Sequence, residues 1–517
     1  AFPMAGGGAR AQRQCSRRPH PKTQRGSKAS KVRKTALPVA ALVGAGVARC
    51  PPLALQGRGA LPCSSRTHSF AVGARPGSRS PRTPRRATRG SDEVGADDFE
   101  TLYLRRTEQV LLERRFNRSR VQADEAQAFR VRQGMEADAA AVDHAKRVAG
   151  AVAVDCPGGA IFVGRARGGM GLDQPLYREE FGQADIALQR PVRPDTIFRI
   201  FSMTKPIVAA SVLPLIEQGL VALSDPISLW LPEFEVSLMK VWQGGECVEA
   251  QRLIRVLDVL CHTSGLFYPA SPNNGTPGIR DPALCKAFLE VGVRQAATPE
   301  EFSKRLARVP LCDEPGNSFT YSVGTALLAR IAEVVSGMPY DRYLDEVLLR
   351  PLGMTDTGFF FTSPGQRERL ANLYVRVPGA SQHGMPAFEE APRKIFTYTK
   401  GAALNADGGL FSTIDDYAKF VRFLLSDGRG IVRKEMIRSY VQDHLAASGL
   451  AIPESFLGFR AGFGLGTYVK HKRLCGWSGL ANTHFCFDIR SGRYSILMAQ
   501  VLPFSWDYQQ LLTLPAR

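Results

Sequence analysis

Ser202 and Lys205 stand three residues apart, a spacing that on a helix puts both side chains on one face with about 5 to 6 Å between Cβ atoms. An amine so placed can reach the hydroxyl. Free serine is too weakly acidic to attack an acyl carbon unaided, and a lysine serves as its base only where burial or cationic surroundings bring it down from about 10.4. The start of a helix helps on both counts, because the N-terminal dipole favours an oxygen anion and disfavours an ammonium. The pair therefore has the parts for covalent acyl transfer, although a serine in this place also reads as a plain helix cap.

The same spacing recurs at Ser237 and Lys240, so context has to separate the two. Ser202 follows the apolar approach Ile197, Phe198, Ile200 and Phe201 and precedes Pro206, a residue tolerated in a first helical turn. Val208, Val212, Leu215 and Ile216 then repeat at helical spacing, which predicts a helix over Lys205 to Gly219 with a kink at Pro214. Ser237 follows Pro232 in a connector rich in Trp, Pro and Phe, where no such helix is evident.

A second chemical element is Tyr321-Ser322-Val323, after the turn signal Glu314-Pro315-Gly316. Ser322 reads as the N-cap of a helix carrying Leu327, Ile331, Val334 and Val335 up to Gly337. A phenol at such a helix entrance, beside a lysine ammonium, can lose its proton and act as a general base. Other polar residues read as structural. His262 in a Thr-Ser-Gly turn suits a hydrogen-bonding role, Asp415 and Asp416 suit the start of a helix over Ile414 to Leu425, and the lone cysteines, Cys261 and Cys486 among them, suit small buried hydrophobes in a reduced compartment.

The elements that must position these groups are legible in outline. Ala160-Ile161-Phe162-Val163, bounded by Gly158-Gly159 and Gly164, reads as a buried strand, as do Asn482 to Ile489 and Tyr494 to Val501. Strands at both ends with a helical middle predict a sheet closed by the two ends of a domain that begins near Val148, with a helical insertion over roughly 210–400. Upstream, 91–147 reads as one or two charged helices that pack on the domain edge or act as a spacer, with Leu102, Val110, Leu111 and Phe116 at irregular helical spacing.

The net charge of +19 over 517 residues invites a nucleic-acid reading. Its location argues against one. Residues 1–90 hold 19 Lys and Arg and no acid, which leaves 48 basic residues against 48 acidic ones in the rest. A neutral body has no electrostatic footprint for DNA or RNA. Lys31, Arg33 and Lys34 precede an uncharged run from Ala36 to Ala48, which suits a signal-peptide core and is too short for a stable membrane span of roughly 20 residues. The Arg-, Ser- and Pro-rich stretch to residue 90 has transit-peptide composition. Together they resemble the bipartite leaders of complex plastids, so an organelle is expected, a plastid before a mitochondrion. Ten cysteines without a C-x-x-C pair argue against a small secreted disulfide scaffold and against a zinc ribbon.

The stretch Pro194-Asp195-Thr196-Ile197-Phe198-Arg199-Ile200-Phe201-Ser202-Met203-Thr204-Lys205-Pro206 resembles the nucleophile segment of serine β-lactamase-like hydrolases. So do His262-Thr263-Ser264-Gly265-Leu266, the run from Tyr321 to Gly337, Pro351-Leu352-Gly353-Met354-Thr355-Asp356-Thr357-Gly358, Gly408-Gly409-Leu410-Phe411-Ser412-Thr413 and Gly476-Trp477-Ser478-Gly479. Six motifs stand in family order across roughly 148–515. Within that superfamily the chain most resembles the family VIII carboxylesterases, which share the fold of class C β-lactamases and penicillin-binding proteins.

The resemblance implies an α/β (α+β) fold, a three-layer sandwich with a mainly antiparallel sheet, beside a helical subdomain. It implies Ser202 as nucleophile, Lys205 as its partner and Tyr321 as the base, with the oxyanion between the N–H groups of Ser202 and Leu480. No cofactor or metal is called for, and the sequence has no H-E-x-x-H and no ligand spacing among its eight histidines. Two departures bear on substrate. Val323 stands where lactamases have an asparagine, and Trp477-Ser478-Gly479 where they have Lys-Thr-Gly and the esterases usually Trp-Gly-Gly. Both changes remove recognition of a carboxylate and an amide. A small-molecule ester is thus the expected substrate, ahead of a lactamase or D-Ala-D-Ala peptidase activity and of a non-catalytic, filament-forming scaffold. The oligomeric state is left open.

Overall fold

The computed structural model describes residues 127–128, 132–166, 175–270, 278–382, 385–391, 398 and 404–505. The basic leader expected over 1–90, and most of the charged segment after it, lie outside the described residues.

Both ends of the domain build one sheet. Its eight strands run in the order Gly462–Phe463, Tyr468–Lys470, Leu474–Gly479, Thr483–Asp488, Arg493–Ala499, Gly158–Arg165, Tyr177–Asp185 and Arg190–Pro191. Every neighbouring pair is antiparallel. The first and last apolar runs read from sequence meet at its centre, where Phe162 lies opposite Ile496.

These central strands are buried along almost their whole length because both faces are covered. Ile161 and Val163 pack with Leu497 and Ala499 in one cluster, whereas Phe162, Ile496 and Met498 point into the main core. On the main-core side the helix Ile414–Leu424 supplies Tyr417, Phe420 and Val421. The other face is closed by a helix at 132–155, whose Ala141, Ala145, Val148, Ala149 and Val152 recur at helical spacing and are buried. Asp138 on that helix pairs with Arg165 of the first strand at 2.7 Å. This helix crosses the boundary read at 147/148, so the stretch from 132 belongs to the packed body and is not a spacer. Its buried stripe is largely alanine, a weak apolar signal until a sheet face is there to receive it.

Between Arg190–Pro191 and Gly462–Phe463 the chain leaves the sheet and is mainly helical. The helix Thr204–Glu217 lies at its centre, with every residue from Thr204 to Leu215 buried. It therefore has no polar face, as expected of a helix enclosed on all sides. Pro214 falls in its last turn, where the missing N–H removes the bond back to the Ala210 carbonyl and the helix ends within four residues. Tyr417 and Tyr440 donate to the carbonyls of Met203 and Pro206 at 3.0 and 2.9 Å, which fixes the first turn from two sides. Among the described residues no helix is long and apolar enough to cross a membrane.

Candidate active site

Ser202 sits in the 3-10 turn Phe201–Met203, which runs directly into the helix Thr204–Glu217. Phe201 has φ 44°, a left-handed conformation that costs a residue with a side chain about 1–2 kcal/mol. Packing holds it there: Phe201 is buried with Leu373, Ala391 and Ala481, and Leu480 packs on the same cluster. The strand Leu474–Gly479 meets this turn at Gly479, where an added Cβ would stand 2.2 Å from the Ile200 carbonyl oxygen. Thr483 Oγ1 donates to that same carbonyl at 3.2 Å. Only glycine permits the approach, and it brings the backbone of Leu480 to the turn that carries Ser202.

Lys205 is 1% exposed, and its ammonium has three acceptors, one for each proton. They are Ser202 Oγ at 3.5 Å, Tyr268 Oη at 2.9 Å and the Asp407 carbonyl at 2.5 Å. Tyr268 in turn donates to the Asp407 carboxylate, which Arg294 grips in bidentate fashion at 2.9 and 2.8 Å. Burial alone would raise the Asp407 carboxyl, but the charge and hydrogen bonds of Arg294, with help from Lys205 and Tyr268, bring it down to about 2. Asp407 is therefore an anion throughout the ordinary pH range.

Tyr321 meets Lys205 through its ring and not its hydroxyl. The ammonium stands 4.7 Å from the ring centre, within cation–π range. Tyr321 Oη is buried and has no hydrogen-bond partner among the described residues. The sequence placed one phenol beside the lysine, and the structure places two: Tyr268 is committed to Asp407, whereas the Tyr321 hydroxyl is not committed to any hydrogen bond among the described residues. Ser322 does not cap the following helix, which spans Thr325–Ser336 with Gly324 as its cap. Its Oγ instead accepts from Gly324 N and pairs with His262 Nδ1, both at 3.2 Å.

An aromatic wall surrounds the Tyr321 ring. Trp477, Phe456 and His262 lie 5.4, 5.5 and 4.9 Å away between ring centres, and Phe463 packs on Trp477. Burial, reinforced by the charge of Lys205, holds His262 down to about 3. It is a neutral ring at physiological pH, with a structural place beneath Tyr321. Val323 has no exposed surface and belongs to the main core. Trp477 lies in the same core and is 4% exposed. Ser478 is partly buried and bonds His484 Nδ1 at 2.8 Å.

The second Ser-Lys copy makes no site: Ser237 is exposed, and Lys240 forms a surface ion pair with Glu249 at 3.2 Å. Asp415 and Asp416 open the helix capped by Thr413, as expected, and Asp416 pairs with Lys419. Cys261 and Cys486 are buried. Sequence reasoning missed Phe201, Tyr268, Asp407, Arg294 and Phe456. Tyr268 follows His262–Leu266 by two residues and Asp407 immediately precedes Gly408-Gly409, so closeness to motifs was their only signal. Arg294 had none.

Residues 130–514 match the Beta-lactamase family. The chain belongs to the beta-lactamase family. Its fold and its six motifs place it among the serine β-lactamase-like hydrolases, a superfamily whose members related to this chain include esterases and peptidases. It is 35% identical over 322 residues to Protein Rv1367c of Mycobacterium tuberculosis, covering 59% of this chain and 75% of that protein. It is 33% identical over 259 residues to Esterase EstB of Burkholderia gladioli, covering 47% and 60%. In fold, this beta-lactamase family member is similar to EstCE1, a hydrolase with promiscuous acyltransferase activity, with TM-score 0.58, 21% identity and coverage of 73% and 99%. It is likewise similar to simvastatin synthase from Aspergillus terreus, with TM-score 0.55, 23% identity and coverage of 69% and 93%.

Proposed function

We propose that this protein is a serine carboxylesterase that works through an acyl-enzyme on Ser202. The observation that carries the reading is the placement of Lys205, 3.5 Å from Ser202 Oγ and 4.7 Å above the ring of Tyr321. Ser202 Oγ attacks the ester carbonyl carbon as its proton passes to Tyr321, the base of the Lys205–Tyr321 pair. The carbonyl oxygen becomes an oxyanion that accepts from the backbone N–H groups of Ser202 and Leu480. The C–O bond to the alcohol then breaks, and the alcohol oxygen takes the proton that the pair received. Water repeats the cycle on the acyl-enzyme, releasing the carboxylic acid and restoring the Ser202 hydroxyl.

The wall around the site supports an ester over a lactam. Phe456, partly buried and packed on Trp477, offers apolar surface, which favours an acyl chain by about 25 cal/mol per Å² buried. A lactam's carboxylate and amide would meet the same rings unpaired, at roughly 1–3 kcal/mol or more for each buried polar group. The similarity to Esterase EstB agrees with this reading.

The test compares p-nitrophenyl butyrate with nitrocefin and maps the peptide labelled by a fluorophosphonate. Ester turnover several orders of magnitude faster in kcat/KM, with the label on Ser202, is expected. Comparable rates on both substrates, or a label on Ser237, would overturn it.

A further inference from the structure

Arg294 lies in the short turn Val293–Gln295 of the helical insertion, yet its guanidinium reaches the buried Asp407 and stands 5.4 Å from the centre of the Tyr268 ring. Asp407 touches Lys205 in two ways. Its carbonyl oxygen accepts one ammonium proton directly, and its carboxylate accepts the proton of Tyr268, whose oxygen accepts another. An ungripped carboxylate here would do two things. It could turn away and release Tyr268, and its negative charge would cancel the positive charge of Lys205.

We propose that Arg294 is a positioning residue that both locks Asp407 and neutralises it, leaving the charge of Lys205 uncompensated at Tyr321 and Ser202. With Arg294 and Asp407 cancelling, the cluster keeps one net positive charge, on the lysine. That charge favours the deprotonated form of Tyr321, the base of the pair. The groups that face the lysine are few among the described residues. Ser202 comes from its own turn, Tyr268 and His262 from the segment after the helix Val256–Leu260, Tyr321 from the approach to Thr325–Ser336, and Asp407 with its partner Arg294 from across the site. His262 is neutral above a pH of about 3, so it adds no charge in the working range.

The inference rests on the esterase reading, and the pH profile of kcat/KM on p-nitrophenyl butyrate separates the two. Arg294→Gln leaves Asp407 as an unbalanced anion, so the acid limb moves to higher pH by about one unit, a roughly tenfold loss at neutral pH that recovers under alkaline conditions. Asp407→Asn leaves Arg294 unbalanced and moves the limb the other way. Arg294→Lys keeps the charge and stays near the parent midpoint. The double variant Arg294→Gln with Asp407→Asn restores the charge balance and, since its two amides can still pair, brings the midpoint back. It also provides the measurement if either single variant fails to fold. Lower amplitude with an unmoved midpoint in the single variants, or a double variant whose midpoint stays displaced, would overturn the proposal. Absence of ester turnover in the parent protein would instead overturn the esterase reading.

Discussion

The ammonium of Lys205 stands over the ring of Tyr321 but hydrogen-bonds the hydroxyl of Tyr268, at 2.9 Å. The two phenols thus divide the work. Tyr268 donates its hydroxyl hydrogen to a bond with Asp407 and can only hold the lysine, while the buried hydroxyl of Tyr321 has no hydrogen-bond partner among the described residues. Tyr321→Phe and Lys205→Ala should each lower turnover on the order of a hundredfold or more, and the double variant should be little worse than either, because the groups act as a unit. Tyr268→Phe should cost less. Steady-state kinetics on one ester checks the ranking, and a larger loss for Tyr268→Phe than for Tyr321→Phe would reverse the assignment.

Gly479→Ala should separate the oxyanion strand from the nucleophile turn. The new Cβ would fall 2.2 Å from the Ile200 carbonyl oxygen, a backbone atom that cannot swing aside. Displacement of about 1 Å at a reacting centre costs on the order of a hundredfold. The expected result is a drop of that size in kcat with the fold retained by circular dichroism. Undiminished turnover would show that Leu480 takes no part.

Stability should fall as the pH is lowered from about 6.5, before most carboxylates titrate. Burial holds both His262 and His484 at about 3 in the folded state, so between the unfolded value of about 6.5 and that point the unfolded chain binds more protons. Each histidine then removes up to about 1.4 kcal/mol per pH unit. Asp407, brought down to about 2, adds its own loss only below the ordinary aspartate value of about 3.9. Urea unfolding at a series of pH values measures the slope, and His484→Phe should roughly halve it in the upper part of that window.

We propose that residues 1–90 direct the protein to an organelle, a plastid before a mitochondrion, and take no part in catalysis. Their 19 basic residues without one acid, together with their Pro and Gly content, give no means of burying a core. Protein lacking these residues should keep full ester turnover, and a fluorescent reporter fused behind them should leave the cytosol. A reporter that stays cytosolic, or a truncated enzyme without activity, would end the idea.

The sequence by itself determined the pairing of Ser202 with Lys205 and a sheet closed by both ends of the domain. Ser202 and Lys205 are local neighbours, and a three-residue spacing on a helix carries its own geometry. The apolar runs at Ala160–Val163 and Tyr494–Val501 could be buried on both faces only in a covered sheet. Tertiary structure alone decided the rest, because it concerns groups far apart in the chain. Lys205, Tyr268, Arg294 and Asp407 form one circuit across 202 residues, and no periodicity links them. The alanine stripe at 141–149 became core only against the sheet it meets. The strained φ of Phe201 and the need for glycine at 479 arise where the nucleophile turn packs against residues distant in the chain. Such long-range pairings are set by packing and charge in the folded state, where a carboxylate removed from water must find its arginine wherever the chain has placed it.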